Sequence, residues 1–306
     1  MQNIILGAVS LGLLWAVLTI GVFLSYRVLD MADLTAEGSM VLGACVAAVI
    51  IRSGGNPYVA TLAAFLAGVC AGLVTGFLHT VLKIPALIAG ILTMTALYSV
   101  NIRVMHQSAN ISLLRMRTIF SGLMSLGLTK TIAATITGLV CCLLVIGVIY
   151  WFFGTEIGCG IRATGSNSKM ARAQGINTES AKMAGLALSN GLVGLSGGLI
   201  AQYLGFSDVQ MGVGAIAIGL ASVIIGEVLF GNSTFFRTLF SLVLGAVSYR
   251  IIIALVFEAG MPSTDLKLFT AVTVVAALYL PSVKSKLNAG KQRGKEENTN
   301  GNASAE

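Results

Sequence analysis

Three carboxylates lie close together between the first two apolar runs of the chain, at Asp30, Asp33 and Glu37, beside Arg27. A charged side chain among apolar segments is costly unless it is paired or faces water. These groups, with Thr35 between them, therefore either line a polar path through the apolar region or belong to an interfacial loop. The sequence leaves both roles open.

No arrangement of residues points to catalysis. There is no G-x-x-x-x-G-K-[ST] phosphate loop, and the G-x-G-x-x-A matches at Gly158 and Gly212 do not follow a predicted strand. The five cysteines lack metal-ligand spacing, and the two histidines complete no site with them. We expect no catalytic residues, no metal and no cofactor on this chain; if ATP is used, a separate polypeptide must bind it with Mg²⁺.

The longest polar interruption between apolar blocks is segment 154–182. Four of the basic residues are concentrated there: Arg162, Lys169, Arg172 and Lys182. A cap at Ser166 or Asn167 predicts a short helix over about 168–174, with Gly175 as its C-terminal stop. A short rigid helix between two apolar blocks is a good docking element, and an ordinary connecting loop is the alternative.

Composition predicts a membrane protein. The chain has 306 residues, of which 56% are hydrophobic and only 10% charged, and its mean hydropathy is +0.90. Soluble domains have about 25% charged residues. The 36 glycines fit close packing of helices in lipid. The net charge of +7 is spread over loops and tail, so no basic face for nucleic acid is predicted.

The apolar runs are continuous rather than alternating, which predicts spanning helices and an all-α polytopic fold. We expect a transmembrane domain over 1–281 and a disordered cytoplasmic tail over 282–306. About nine spans are predicted, at roughly 4–26, 39–51, 58–80, 86–103, 131–153, 183–205, 213–230, 237–257 and 267–281.

Basic residues predict the orientation. With segment 154–182 and the tail in the cytoplasm, twelve Lys and Arg residues lie inside and six outside, in accord with the positive-inside rule. Nine spans then place the N-terminus outside. Arg115, Arg117 and Lys130 share one external loop and oppose this assignment.

A weak internal symmetry relates two parts of the chain. The first span leads through Asp33 to the small-residue run GSMVLGACVAA, and the sixth leads through Asp208 to GVGAIAIGLAS. The two spans run in opposite directions, which is typical of an inverted repeat in a transporter. Polar groups on spans pack helices or line a path, and those we consider for the path are Thr93, Thr95, Asn190 and Gln202, with Asp208.

The chain resembles membrane permeases of bacterial ABC importers from about 11 to 281, within the branched-chain amino acid, ribose and nucleoside permease superfamily. The most specific match is R-A-x-G-x-N-x-x-M-A-x-x-x-G-I, from Arg162 to Ile176. Two earlier stretches, RVLDMADLTAEG at 27–38 and LTMTALY at 92–98, resemble the subgroup linked to tryptophan and tyrosine.

The resemblance implies a type II importer permease in the bacterial inner membrane that dimerises around the translocation path. It implies cytoplasmic ATPase subunits and an external solute-binding lipoprotein as partners. The ATPases would dock on the motif residues Arg162, Ala163, Gly165, Asn167, Met170, Ala171, Gly175 and Ile176.

Substrate and coupling are left open. An aromatic amino acid is favoured, and branched-chain amino acids or nucleosides are alternatives. An ion-coupled secondary transporter could also carry inverted repeats and acidic residues. A purely structural membrane subunit is a third possibility.

Overall fold

The computed structural model describes residues 2–258 and the isolated positions 260, 268, 271, 272, 275 and 279. The described chain is mainly helical. In order it forms α1 (Gln2–Phe23), a π-helical turn (Leu24–Val28), α2 (Thr35–Arg52), α3 (Pro57–Thr80), α4 (Ala86–Val104), β1 (Asn110–Ser112), α5 (Ser121–Met124), α6 (Lys130–Phe152), α7 (Glu156–Ser166), α8 (Ser168–Ala173), α9 (Thr178–Leu204), β2 (Phe206–Asp208), α10 (Ala215–Phe230) and α11 (Phe235–Glu258).

Seven of these helices are long and apolar enough to cross a membrane: α1 with its π-helical turn, α2, α3, α4, α6, α9 and α11. The apolar helix α10 is shorter and corresponds to the predicted seventh span. Eight of the nine predicted spans thus have a helix at the expected place. The ninth, at about 267–281, and the tail at 282–306 fall almost wholly outside the described residues.

The centre of the bundle is α9, which packs against α1, α2 and α3. Small residues allow these backbones to approach closely, as is usual for helices in lipid. A Cβ on Gly43 of α2 would lie 2.0 Å from the carbonyl oxygen of Gly194, and one on Gly197 would lie 2.0 Å from that of Met40. The glycine content read from the sequence is therefore used at helix–helix crossings.

Helices α1 and α9 are antiparallel. Ser189 donates to the carbonyl of Gly21 at 2.8 Å, and seven residues later Ser196 donates to that of Leu14 at 2.8 Å. Successive contacts thus involve increasing residue numbers in α9 and decreasing residue numbers in α1. This is the opposed direction that the order of the predicted spans assigns to these two spans.

Each of these helices is followed by an irregular segment and then a shorter helix. After α1 the chain leaves helical structure over 29–34 before α2 begins. After α9, Gly205 adopts a left-handed conformation at φ +82°, and the chain passes through β2 and residues 209–214 before α10 begins. The second segment lies beside α2, because Gly212 approaches the Glu37 carbonyl too closely to accept a Cβ.

Two features were not predicted. The strands β1 and β2 pair antiparallel in the register Asn110–Asp208, Ile111–Ser207 and Ser112–Phe206, which ties the α4–α6 connection to the α9–α10 connection. Three-residue strands are too short to give an alternating pattern that stands out in a sequence. Helix α7 was also missed, since its sequence EIGCGIRATGS contains three glycines, which are poor helix formers.

The close contact at Gly43 gives a test of the packing. Gly43→Ala should force α2 and α9 apart and destabilise the protein by about 1–3 kcal/mol, as overpacked cores do. The variant would be heated in detergent and the remaining monodisperse protein measured by size-exclusion chromatography. The temperature at which half of the monodisperse peak is lost should fall. Gly147→Ala is the matched control, because a Cβ at Gly147 meets nothing within 4 Å. Equal midpoints for the two variants would contradict the described crossing.

Candidate functional site

The polar segment between α6 and α9 folds into two helices that meet at Asn167. The Thr155 hydroxyl caps α7 by accepting from Gly158 N at 3.3 Å. Asn167 is extended, with φ −155° and ψ 97°, and its Oδ1 caps α8 by accepting from Met170 N at 3.0 Å. The predicted short helix is confirmed to within one residue, with Asn167 rather than Ser166 as its cap. Gly175 lies just past its end at φ +83°, as a helix stop requires.

The segment is joined firmly to the start of α9. Asn177 Oδ1 accepts from the backbone N–H groups of Glu179 and Ser180, at 3.2 and 3.1 Å. The Arg172 guanidinium donates to the Thr178 hydroxyl at 3.0 Å, and Glu179 forms an ion pair with Lys83 from the α3–α4 turn. A displacement of α8 would therefore act directly on the central helix of the bundle.

The inner face of α7 contacts two further helices. Ile161 is fully buried in the main hydrophobic cluster, and Gly165 lies so close to the Val28 carbonyl that a Cβ would come within 1.8 Å of it. The Arg162 guanidinium lies 5.1 Å from the ring centroid of Phe235, at the start of α11. Helix α7 thus rests on the end of α1 and the beginning of α11.

The outer face of the segment remains accessible. Among the predicted docking residues, Ala171 is buried and Gly165 and Ile176 are half-buried, while the others are exposed: Arg162, Ala163, Asn167, Met170 and Gly175. Met170 on α8 and Ile157 on α7 are each 63% exposed.

A cavity of about 500 Å³ lies where α7 meets the end of α1. Asp30, Arg27 and Arg162 contribute its charged side chains, and Asp30 has a left-handed backbone at φ +54°. Arg27 also forms a two-pronged ion pair with Glu227 near the end of α10, at 3.2 and 3.3 Å. Asp30 therefore belongs with the α7–α8 segment and not with the other two carboxylates of its cluster.

Asp33 is the centre of a buried hydrogen-bond network. Its Oδ1 accepts from Thr35 N at 2.9 Å, at the start of α2, and its Oδ2 accepts from Asn190 Nδ2 at 2.6 Å. Asn190 Oδ1 accepts from Ser39 at 2.7 Å, and the hydroxyls of Thr35 and Thr75 are 2.7 Å apart. Asp33, Thr35 and Asn190 are thus brought together, but in this conformation they hold α2 against α9 and α3.

Glu37 faces the second irregular segment. Its carboxylate accepts from the backbone N–H groups of Gly214, at 3.0 Å, and Ile216, and so caps the start of α10. It also lines a cavity of about 300 Å³ between α2, α4 and residues 209–213, together with Thr95. The two segments that the internal symmetry singled out therefore meet at this carboxylate.

The remaining path candidates make local or structural contacts. Thr93 is buried and donates to its own helix at Ala89 O, 3.0 Å away. Gln202 links Thr61 at 2.9 Å to the backbone N–H of Ile119 at 3.0 Å. Asp208 lies in β2, accepts from Gln210 N at 2.7 Å and contacts Asn110 at 3.3 Å. None of the three lines the cavity beside Glu37.

Asn101 was missed by the sequence reasoning. It lies in α4, lines the same cavity and is 1% exposed, and its Oδ1 has no hydrogen-bond partner among the described residues. Its Nδ2 donates to the Gly38 carbonyl at 3.3 Å. The available signal was the amide of Asn101 itself, which lies inside an apolar run three residues after Tyr98.

Comparison with known proteins identifies the class. The sequence matches the family described as branched-chain amino acid transport system / permease component over residues 4–278. It is 40% identical to the tyrosine transport system permease protein of Clostridioides difficile, over 90% of both chains. It is 29% identical to the inner membrane ABC transporter permease protein YjfF of Escherichia coli, over 78% of this chain and 70% of that one. PsaBC from Streptococcus pneumoniae in complex with Fab shares the fold, with a TM-score of 0.52 and 14% identity over 90% of each chain.

The helical bundle and these matches define a multi-pass membrane permease subunit of an ABC-type importer, which is non-catalytic because the ATPase is a separate subunit. Within that class, the chain belongs to the branched-chain amino acid transport system permease family. The resemblance read from the sequence, including its tyrosine-type branch, is confirmed.

The Asp33 network can be tested by its central amide. Asn190→Leu removes the donor to the buried Asp33 carboxylate and the acceptor for Ser39. The bond to the carboxylate alone should contribute about 1.5–3 kcal/mol, as hydrogen bonds to charged groups do. The apparent melting midpoint in detergent should fall clearly. Thr93→Val, which removes a buried hydroxyl bonded within the described residues to its own helix, should change the midpoint little. A midpoint unchanged by Asn190→Leu would show that this contact does not hold α2 to α9.

Proposed function

We propose that this chain is the membrane-spanning subunit of an ATP-driven importer of a small solute, an amino acid, with an aromatic amino acid favoured. The tyrosine permease relative, at 40% identity, supports the choice of substrate class. The observation that carries the coupling role is α7, which has an exposed outer face and an inner face set against the ends of α1 and α11.

The α7–α8 segment is the proposed docking surface for the cytoplasmic ATPase subunits, which bind the ATP and Mg²⁺. Its exposed residues Arg162, Asn167 and Met170 would contact the ATPase, while Gly165 transmits movement to α1. Closure of the ATPase pair would tilt the helices that α7 and α8 touch and so alternate the access of the path. This orientation places the N-terminus outside and the C-terminus in the cytoplasm.

The opposite end of the bundle is the proposed surface for an external solute-binding protein. A cavity of about 580 Å³ there is lined in part by Arg115 and Arg117, and Arg52 and Arg103 lie at the same end. Exposed cations at this end suit a partner with a complementary acidic surface. Such a partner would account for the basic residues that the proposed orientation places outside.

A second copy of the chain is the proposed partner along α4. The outward face of α4 carries exposed apolar side chains, among them Leu87, Ile91 and Tyr98, and the cavity beside Glu37 opens next to it. In a homodimer built on this face, that cavity would border the substrate path. Glu37 and Thr95 are then the predicted path residues that face it.

The energy source decides between this proposal and an ion-coupled transporter. Proteoliposomes would contain the permease, its ATPase and its binding protein, and uptake of labelled L-tyrosine, L-leucine and adenosine would be measured. We expect uptake that requires internal ATP hydrolysis and survives collapse of the ion gradients. Uptake that persists without ATP hydrolysis and stops with the gradient would establish secondary transport instead.

The coupling role predicts a specific uncoupled variant. Gly165→Ala places a Cβ against the Val28 carbonyl and should displace α7 from α1, lowering uptake per ATP hydrolysed by roughly fivefold, since such couplings are worth about 1 kcal/mol. Gly160→Ala in the same helix is the control, because its Cβ would meet Ile176 at an ordinary 3.6 Å. Both variants should assemble at normal levels. A normal ratio of uptake to ATP hydrolysis in Gly165→Ala would show that α7 does not transmit the movement of the ATPase to α1.

A further inference from the structure

The cavity between α2, α4 and residues 209–213 has a composition that selects one kind of ligand. Glu37 is the only charged residue among the described residues that line it. Apolar and aromatic side chains form most of the remaining wall: Val41, Met94, Tyr98, Val209 and Val213. The volume of about 300 Å³ suits a small solute. A single carboxylate in an otherwise apolar cavity favours a ligand with one positive charge.

A second acceptor lies in the same wall. Asn101 is almost fully buried, and its Oδ1 has no hydrogen-bond partner in the described part of the chain. Buried polar atoms are nearly always satisfied, so an orphan acceptor beside a cavity indicates a missing donor. An ammonium group has three donors and no acceptor, and so fits the Glu37 carboxylate and the Asn101 oxygen together.

The carboxylate is fixed in place for this role. The backbone N–H groups of Gly214 and Ile216 bind it and hold it at the wall of the cavity. A carboxylate accepts up to about four hydrogen bonds, so its remaining lone pairs stay available to a ligand. Tyr98 is 54% exposed on the same cavity and can offer its ring face to a cation.

We propose that Glu37 and Asn101 bind the ammonium group of the transported solute, and that Met94, Tyr98 and Val41 receive its apolar part. This proposal rests on the proposed function and deepens it, because it assigns the substrate class to residues of the permease itself. The residues would select amino acids and amines over solutes of similar shape that lack an ammonium group.

The test uses the full-length permease in lipid nanodiscs, without ATPase or binding protein. Thr95→Cys introduces a thiol at the cavity, where the native hydroxyl donates to Ile91 of its own helix. Modification by a neutral methanethiosulfonate is followed by mass spectrometry of the peptide that carries position 95, so the native cysteines do not interfere. Tyramine, which has the ammonium group, should slow the reaction, whereas 3-(4-hydroxyphenyl)propionate, which lacks it, should not.

Glu37→Gln should abolish protection by tyramine while keeping an amide oxygen for the Gly214 N–H. The thiol introduced at position 95 reacts with cationic and with anionic methanethiosulfonates, and Glu37→Gln should lower the ratio of the cationic rate to the anionic rate by roughly tenfold, which is the effect of one nearby charge. Glu37→Asp should retain most of both effects, and Asn101→Leu should weaken protection but leave the charge ratio unchanged. Glu179→Gln removes an exposed carboxylate at a distant site and should change neither.

Equal protection by the two probes, or a charge ratio unaffected by Glu37→Gln, would overturn the proposal. The assay needs no ATP and no partner, so its outcome is independent of the importer assignment. If the ammonium site responds as expected but the reconstituted system shows no ATP-driven uptake, the proposed function fails and the binding site stands.

Discussion

The structure depends on one constraint, which is that backbone polar groups buried away from water must find partners within the protein. Continuous helices do this by themselves, but the chain is broken over 29–34 and again over 205–214. Each break exposes the N–H groups of the helix that follows it. Asp33 satisfies the start of α2 through Thr35 N, and Glu37 satisfies the start of α10 through Gly214 N. The two carboxylates that the sequence placed near a path are thus needed first to close these breaks.

This constraint links the two halves of the bundle. Asp33 belongs to the segment after α1 but binds Asn190 of α9, whereas Glu37 of α2 caps α10 in the other half. The first break is capped from its own segment and tied to α9 through Asn190, whereas the second is capped by a carboxylate from α2. Close approach at glycines such as Gly43 and Gly197 brings α2 and α9 near enough for these short side chains to reach. These contacts therefore join α2, α9 and α10 in one polar assembly inside an apolar bundle.

Much of this fold could be predicted from the sequence, because the signals were local. Eight spans follow from apolar runs, and the caps and stop around α8 follow from Asn167 and Gly175, whose chemistry fixes nearby backbone. The candidate site was predicted only in part. Asp30, Asp33 and Glu37 are neighbours in sequence but occupy three different environments. Their spacing in the sequence does not determine how the backbone turns between α1 and α2. This turn determines which residues each carboxylate contacts.

The route from the polar segment to the interior follows from the same geometry. Helix α7 touches the π-helical turn through Gly165 and Val28, and the neighbouring residue of that turn, Arg27, is paired to Glu227 of α10. At its other end, α10 begins where Glu37 caps it. A displacement of α7 can therefore be passed to α1 and then to the helix whose start borders the cavity. The π-helical turn is a suitable point for such a change, since irregular turns within helices deform more easily than regular ones and frequently occur at functional sites. The polar segment and the proposed ammonium site are thus opposite ends of a short chain of direct contacts.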